Sequence, residues 1–489
     1  PSRGTPAPAA VGYFHWREPF VLPIVLIVIT RAALAYFVPQ AAEDAYITFR
    51  YARNLAMGHG LTFNPGEHVM GFTSPLWTVW MSLGFLLHLD PVVWSRLSAL
   101  TADLVTLVVV VRLLRETFSR ASGWCFALFF ALWPYFSAMT ASGMESGIMF
   151  MLIALSGLLV QRKHPASSVA LAALAISRPE GLAVAALLAL RAPRRHALIA
   201  VALAAVAMLP LALYFGTVVP QSVFAKSHVY GTPGPWAGRV WWIWLIPRPY
   251  LHESRVVEQG HLVGLAVLLT PAILIGVRRL WKERASSIAM VVLGCLVVWA
   301  GYSLLGVAYF YWYLLVPLGG FVMLAAIGAP AMLRGAPVFV SLALFLTGVY
   351  VDGLPVYASR SALELEGFGS VADYLSEHAQ RGEKAFLEPI GIVGFSCPLV
   401  IVDEVGLVSP QVARRRLEGP GWYTDTVNRE RPEWLIARQA TLGSGTAWAG
   451  AGAPFRSPEE QQSLLAAYDV VDTVVASRGP QALLILRRR

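Results

Sequence analysis

Two adjacent acids, Glu43 and Asp44, follow the first long apolar run of this chain within a few residues. At that point the chain would leave a bilayer, so the carboxylates would lie beside the lipid headgroups. Ile47, Tyr51 and Leu55 then share one helical stripe, which predicts an amphipathic helix on the membrane surface. A carboxylate held there is suited to accept a proton as a general base. The pattern indicates chemistry at a membrane face.

The two acids have different alternatives. Asp44 as the N-cap of the surface helix is the structural alternative to a general base, and two adjacent acids beside a bilayer exceed what a cap requires. Neighbouring residues point apart, so Glu43 either joins the site, orients a partner of Asp44 or binds an ion. No resident cofactor is predicted, because metal motifs such as HExxH and CxxC are missing. A divalent cation near Glu43 and Asp44 is left open.

Other candidates lie at the ends of apolar runs or in the segments between them. They are Lys226, His228, Arg178, Glu180, Glu145, His59 and Arg248. Lys226 suits a phosphate, with snorkelling to the interface as its alternative. Arg178 and Glu180 either pair with each other across Pro179 or contact ligands. Glu145 begins a span, where a carboxylate is stabilised at the helix N-terminus, so a structural role comes first and site lining second.

Two of these candidates are weaker. His59 lies between two glycines that stop the surface helix, and we place it second to a structural role in that turn. Arg248 belongs to a cluster of tryptophans and arginines, which an interfacial aromatic belt explains without any ligand. A sugar or phosphate site is the alternative for that cluster.

Composition predicts an integral membrane protein, since 56% of the 489 residues are hydrophobic and 14% are charged. We predict eleven spans, of which the fifth and sixth are short and either form a hairpin or are one broken helix. The eleven apolar runs are 20–37, 92–114, 124–137, 147–160, 166–176, 182–190, 197–215, 262–277, 288–305, 309–326 and 338–350.

Basic residues set the expected orientation. With the N-terminus in the cytoplasm, the hairpin alternative places every strongly basic short loop on the cytoplasmic side. The candidate residues and the C-terminal part then lie outside. Because these loops account for most of the net charge of +9, we predict no nucleic-acid partner.

Three parts are expected along the chain. Residues 1–18 form a disordered cytoplasmic leader, 19–351 a transmembrane domain with its first outer loop at 38–91, and 352–489 an extracytoplasmic α/β domain. In that last domain we predict a helix at 367–380, strands at 384–388, 399–403, 434–437, 470–475 and 482–486, and mobile loops at 419–426 and 441–454. Of the three cysteines, only Cys397 is expected to be exposed to the outer compartment.

Three blocks of the first outer loop carry a resemblance: Glu43-Asp-Ala-Tyr-Ile-Thr-Phe-Arg50, Gly58-His-Gly-Leu-Thr-Phe-Asn-Pro-Gly-Glu67 and Gly71-Phe-Thr-Ser-Pro-Leu-Trp77. They resemble the first outer loop of GT-C membrane glycosyltransferases, and are most similar to the mycobacterial terminal β-arabinofuranosyltransferase group. Later segments around Glu145, Arg178, Lys226 and 401–409 extend the resemblance. Two departures are the acid pair, which is Glu-Asp instead of Asp-Asp, and a C-terminal part that is short for the mycobacterial members.

The resemblance implies a multi-pass GT-C fold in a bacterial plasma membrane and inverting transfer of a sugar from a polyprenyl phosphate to a glycan acceptor. Asp44 matches the base, with Glu43 beside it. Together with the residues above, our candidates for the donor side are Lys226, His228, Arg178, Arg248 and His59, and those for the acceptor side are Glu180 and Glu145. Arabinofuranose is the implied sugar, with mannose or another hexose as the alternative.

A transporter or flippase of a lipid-linked sugar is the alternative from another functional class. Such proteins usually contain inverted repeats and charges near the bilayer midplane. Here the charges gather at one face, which favours the enzyme.

Overall fold

A computed structural model describes residues 20–229, 256–305, 307, 310–332, 336–442, 452–475 and 482–489. Its first two thirds are helical. The helices are α1 Val21–Phe37, α2 Glu43–Ala56, α3 Pro75–Leu86, α4 Pro91–Thr117, α5 Arg120–Leu132, α6 Pro134–Ala141, α7 Ser146–Gln161, α8 Ser167–Ser177, α9 Pro179–Ala189, α10 Arg194–Phe215, α11 Gln221–Val229, α12 Val256–Lys282, α13 Ser287–Leu304, α14 Leu315–Gly328 and α15 Ala336–Glu364.

The eleven apolar runs lie largely on these helices, the third of them on both α5 and α6. A backbone in lipid must satisfy its own hydrogen bonds, so long apolar runs form helices there. Counted over the described residues, five helices are long and apolar enough to cross a membrane, and several shorter ones are apolar. The prediction of a multi-pass helical membrane protein is confirmed.

The third apolar run is broken. Trp133 is extended, as residues before proline tend to be, and Pro134 begins α6, so α5 and α6 meet at a bend of 57°. The shorter α8 and α9 meet at Arg178 and pack against each other, which favours the hairpin over a single broken helix. The sequence did not predict α3, an apolar helix of 12 residues inside the first outer loop.

The C-terminal domain is an α/β sandwich of short elements. Its helices are α16 Ser370–His378, α17 Gly391–Ser396, α18 Pro410–Glu418, α19 Trp422–Glu430, α20 Gln439–Leu442 and α21 Pro458–Leu465, and its strands are β1 Lys384–Leu387, β2 Val400–Asp403, β3 Trp434–Arg438, β4 Tyr468–Val474 and β5 Leu483–Arg488. The strand order is β2-β1-β3-β5-β4. Strand β1 pairs in parallel with β2 and β3, whereas β5 pairs antiparallel with β3 and β4.

All five predicted strands are present, within two residues of their predicted ends. Two other expectations were wrong. The predicted mobile loop at 419–426 contains the start of α19, where Trp422 and Tyr423 are buried in the domain core. Cys397 is also buried, and its thiol donates to the Ala372 carbonyl oxygen at 3.3 Å. Most of the loop at 441–454 lies outside the described residues.

The α/β domain and the first outer loop share one hydrophobic core. Tyr51 and Phe63 of the outer loop pack in the same cluster as Val393 and Ile401 of the domain. Burying these side chains together ties the two parts of the chain, and α2 lies at their junction.

Candidate active site

Helix α2 places the two acids in its first turn. The helix begins at Glu43, and its N-cap position is Ala42, which has no side-chain hydrogen bond to offer. Asp44 is therefore not the N-cap, which removes its structural alternative. Two carboxylates in the first turn are stabilised by the positive end of the helix.

Glu43 points toward the α/β domain and is buried. Its Oε1 accepts hydrogen bonds from the backbone N–H groups of Gly391 and, at 3.1 Å, Ile392, at the start of α17. A Cβ at Gly391 would overlap the backbone of Glu43, so glycine permits this approach. Burial, followed by the neighbouring charge of Asp44, raises the pKa of Glu43 well above its usual range. Glu43 is thus a tie between α2 and the domain.

Asp44 lines an open cavity together with Lys226 of α11. The Lys226 Nζ lies 3.5 Å from Asp44 Oδ2, and the two side chains are 20% and 23% exposed. The ammonium also lies 4.3 Å from the centre of the Phe310 ring. Burial lowers the pKa of Lys226, but Tyr313 and Asp44 outweigh it, so the net shift is upward. The cavity therefore holds a partly accessible base beside a cation.

Arg178 and Glu145 line the same cavity, but their charges are engaged. The Arg178 guanidinium is 5% exposed and forms ion pairs with Glu145 and Glu180. The Tyr302 hydroxyl donates to Glu180, and the guanidinium stacks over the Tyr313 ring at 4.9 Å. The pairing alternative for Arg178 and Glu180 is thus what the structure contains. Paired charges of this kind stabilise the α8–α9 turn at the cavity wall.

A second set of contacts holds α2 against the domain. The buried Arg50 donates through Nε to the Phe63 carbonyl at 2.8 Å and through Nη2 to Leu399 at 2.7 Å and Asn64 Oδ1 at 3.2 Å. Its Nη1 donates to the Gly394 carbonyl. The Asn64 amide pairs with both the N–H and the C=O of Ile401. The helix that carries Asp44 is therefore fixed by groups on both sides.

The loop between β2 and α18 forms part of the cavity wall. Leu407 lines the cavity, and the Gln221 side chain of α11 donates to the Gly406 carbonyl at 3.1 Å. Asp403 organises the loop, because its buried carboxylate accepts N–H groups of Val405, Leu407 and Val408. Burial raises the pKa of Asp403 to about 6 despite these bonds. The α/β domain thereby contributes directly to the cavity.

Three sequence candidates lie elsewhere. His59 is exposed in the turn after α2, as its structural alternative expects. His228 is exposed and its ring packs against Phe224 at 4.2 Å, outside the cavity lining. Arg248 and its aromatic cluster lie outside the described residues. Among the residues that the structure describes, no group of three or more His, Cys, Asp or Glu side chains could hold a metal ion.

Sequence reasoning did not single out four serine and threonine residues of the cavity lining. They are Thr48, Thr73, Ser74 and Ser222. Thr48 lies four residues after Asp44 and Ser222 four before Lys226, so helical spacing from each candidate was the signal that could have found them. The cavity can therefore offer a carboxylate to a hydroxyl, an ammonium to an anion, and hydroxyl groups to a polar ligand.

Residues 357–485 match the family model described as "Domain of unknown function (DUF8728)". No curated protein matches the chain.

Solved structures that share the fold are membrane glycosyltransferases. ArnT from Cupriavidus metallidurans bound to undecaprenyl phosphate has a TM-score of 0.58 and 10% identity, and the match covers 96% of this chain and 98% of that one. The apo state of ArnT gives a TM-score of 0.57 and 12% identity over 95% and 97%. An Archaeoglobus fulgidus oligosaccharyltransferase tethered with an acceptor peptide gives 0.53 and 11% over 96% and 74%. The chain has the GT-C fold, with a C-terminal α/β domain.

Proposed function

We propose that this protein is a polyprenyl-phosphate-dependent glycosyltransferase in which Asp44 is the general base. The observation that carries the proposal is the cavity in which Asp44 faces Lys226 at 3.5 Å. The GT-C fold supports the proposal as well, since the ArnT structure of the same fold is bound to undecaprenyl phosphate.

The proposed reaction is a single displacement. The acceptor hydroxyl gives its proton to the Asp44 carboxylate while its oxygen forms a bond to the anomeric carbon. The bond between that carbon and the phosphate oxygen breaks, and its electron pair leaves with the polyprenyl phosphate. Lys226 stabilises the charge on the departing phosphate. One base and no covalent intermediate give inversion at the anomeric carbon.

The ion pair between Asp44 and Lys226 changes during the proposed reaction. A donor phosphate that binds the Lys226 ammonium competes with Asp44 for it and weakens the ion pair. The Asp44 oxygens then become available to the acceptor hydroxyl, so that binding of the donor prepares the base.

Arabinofuranose is the sugar that we propose, and a cell-envelope glycan is the acceptor. The first outer loop supports this choice through its resemblance to the mycobacterial terminal β-arabinofuranosyltransferase group. We further propose that the N-terminus is cytoplasmic and that Asp44, Lys226 and the α/β domain lie outside a bacterial plasma membrane, because that orientation keeps the basic loops inside.

The test uses purified protein in nanodiscs with polyprenyl-phosphate arabinofuranose or mannose and an arabinan or mannan acceptor. Wild type is expected to transfer one sugar, and Asp44→Asn to lose at least ~100-fold in rate, as expected for a lost general base. Binding of polyprenyl phosphate, measured separately, shows that the variant is folded. Unchanged transfer by Asp44→Asn would remove Asp44 as the base, and movement of the lipid across vesicles without transfer would support a flippase instead.

A further inference from the structure

The hydroxyl of Ser222 is buried in the cavity wall without a partner. Ser222 lies in the first turn of α11 and is 3% exposed. Within the described part of the chain, its Oγ has no hydrogen-bond partner. A buried hydroxyl without a partner costs free energy, and such groups usually have one. Because Ser222 lines the Asp44 cavity, the missing partner can be supplied by a bound molecule.

Ser222 shares a helix face with Lys226. The two residues are four apart in α11, which places them one turn from each other, with ~5–6 Å between their Cβ atoms. Both line the cavity. The two residues therefore border the same space, at a separation that one phosphate group can bridge with two of its oxygens.

The surroundings of Ser222 favour an anion. It lies at the positive end of α11, where the helix dipole stabilises negative charge. The neighbouring N–H groups are engaged, since Gln221 N donates to Met70 O at 2.8 Å and Val223 N to Pro220 O at 3.0 Å. The Ser222 hydroxyl is thus a donor of this first turn that has no partner among the described residues.

Arg178, the other cation in this wall, is held by Glu145 and Glu180. A phosphate in the cavity is therefore directed to α11. The first turn of that helix is also fixed in place, because the Gln221 side chain donates to the Gly406 carbonyl at 3.1 Å. The hydroxyl is held in position before any ligand arrives.

We propose that Ser222 donates a hydrogen bond to one oxygen of the donor phosphate while Lys226 binds another. This proposal rests on the proposed function and adds a residue that distinguishes a phosphate from other groups. It assigns the phosphate, and not the sugar, to the face of α11.

The test compares Ser222→Ala with Ser227→Ala. Ser227 lies on the same helix, is exposed and donates to the Phe224 carbonyl at 2.9 Å. The probe is polyprenyl phosphate without a sugar, titrated into full-length protein in phosphatidylcholine nanodiscs. We expect Ser222→Ala to weaken binding about tenfold or more, as for a lost hydrogen bond to a charged group. Ser227→Ala leaves the affinity unchanged, and Ser222→Thr, which keeps a hydroxyl, retains most of it.

Two further readouts separate binding from a structural role. Without ligand, Ser222→Ala is expected to unfold at the same temperature as wild type or higher, because alanine removes a hydroxyl that has no partner. Inorganic phosphate and phosphatidylglycerol nanodiscs, used as competitors, distinguish a general phosphate site from one that needs the polyprenyl chain. Equal competition by them keeps Ser222 as a phosphate ligand but assigns selectivity for the donor to the lipid tail.

The proposal is overturned if Ser222→Ala binds polyprenyl phosphate as wild type does. It is also overturned if only the KM of the sugar-bearing donor rises, since the hydroxyl then contacts the sugar. Binding does not require transfer, and Asp44→Asn frees Lys226 from its ion pair, so this variant is expected to bind polyprenyl phosphate at least as tightly as wild type while losing transfer. A failure of the proposed base and a failure of the Ser222 contact therefore give different results.

Discussion

The backbone N–H of Ile392 donates a hydrogen bond to Glu43 Oε1 at 3.1 Å, across 349 positions of the chain. The contact joins the first residue of α2 to the start of α17, and Asp44 is the next residue along α2. The α/β domain therefore sets the start of the helix that carries the proposed base. The two adjacent acids have separate roles. Glu43 binds the start of α17, and Asp44 lines the cavity.

Substitutions at Glu43 should separate these tasks. Glu43→Gln keeps an oxygen acceptor for Gly391 and Ile392, and a neutral side chain suits a site where burial raises the pKa of the acid. We expect the transfer rate to fall less than tenfold, in contrast to Asp44→Asn. Glu43→Ala leaves two buried N–H groups unpaired, at a cost of about 1–3 kcal/mol each. Transfer rates and thermal unfolding of the purified variants measure both effects. A complete loss of transfer in a stable Glu43→Gln protein would show that the Glu43 carboxylate takes part in the reaction.

Arg50 and Arg53 form a matched pair on α2. Arg50 is buried and donates to four acceptors, whereas Arg53 is half-buried and donates to the Phe395 carbonyl at 2.8 Å. Lysine cannot reproduce the planar fork of arginine, so Arg50→Lys leaves some of these buried acceptors without a hydrogen bond. We expect Arg50→Lys to lose about 2–4 kcal/mol of stability and Arg53→Lys less than about 1 kcal/mol.

Limited proteolysis between the membrane domain and residues 357–485 gives a direct readout of this pair. Arg50→Lys should release the α/β domain at lower protease concentration than wild type, and Arg53→Lys should behave like wild type. Equal sensitivity of the two variants would contradict the role of Arg50 as the main tie.

Glu404 is expected to make the stability of the folded protein depend on pH. It follows β2 in a buried position, where burial, followed by the charge of Glu388, raises its pKa from the ordinary 4.5 to about 7. The folded state then binds the proton more tightly than the unfolded state, so ionisation of Glu404 costs stability as pH rises from about 4.5 to about 7. At ~1.4 kcal/mol per pKa unit, this cost approaches about 3 kcal/mol above that range.

Glu404→Gln removes that cost. We expect the variant to match wild type near pH 4.5 and to be more stable above pH 7, as measured by thermal unfolding in detergent across this range. The exposed Glu418, paired with Arg415 on the surface of α18, supplies the control Glu418→Gln, which should show no such trend. A stability difference that does not change with pH would contradict the assignment to Glu404.

The sequence predicted the apolar helices and the five strands well, because their signals are local. Apolar runs such as 197–215 must be helical in lipid, and short runs such as 434–437 are bounded by polar residues. It missed α3, because 12 residues are too few for a span, and α19, because a segment rich in glycine at its start predicts a loop. The short helices α11, α17, α18, α20 and α21 were not predicted either.

The part of the candidate site that could be predicted consists of charged residues at the ends of apolar runs. The sequence pattern grouped Asp44, Glu145, Arg178 and Lys226 on one face of the membrane. In the structure these four residues line one cavity. The ties through Glu43, Arg50 and Asn64 were not predictable, because their partners lie more than 300 positions away and depend on how the domain docks. Ser222 was missed for a different reason, since a single serine has no distinctive pattern.

Asn64 has a consequence for biogenesis. Its side-chain amide pairs with both backbone groups of Ile401, so it acts at the edge strand β2 as a neighbouring strand would. Open edge strands are a risk for aggregation, and this loop covers part of one. Because Asn64 is synthesised 337 positions before Ile401, the first outer loop lacks this contact until β2 has been made. A chain interrupted before β2 would leave the first outer loop without this anchor, so the loop depends on the C-terminal domain for its final contacts.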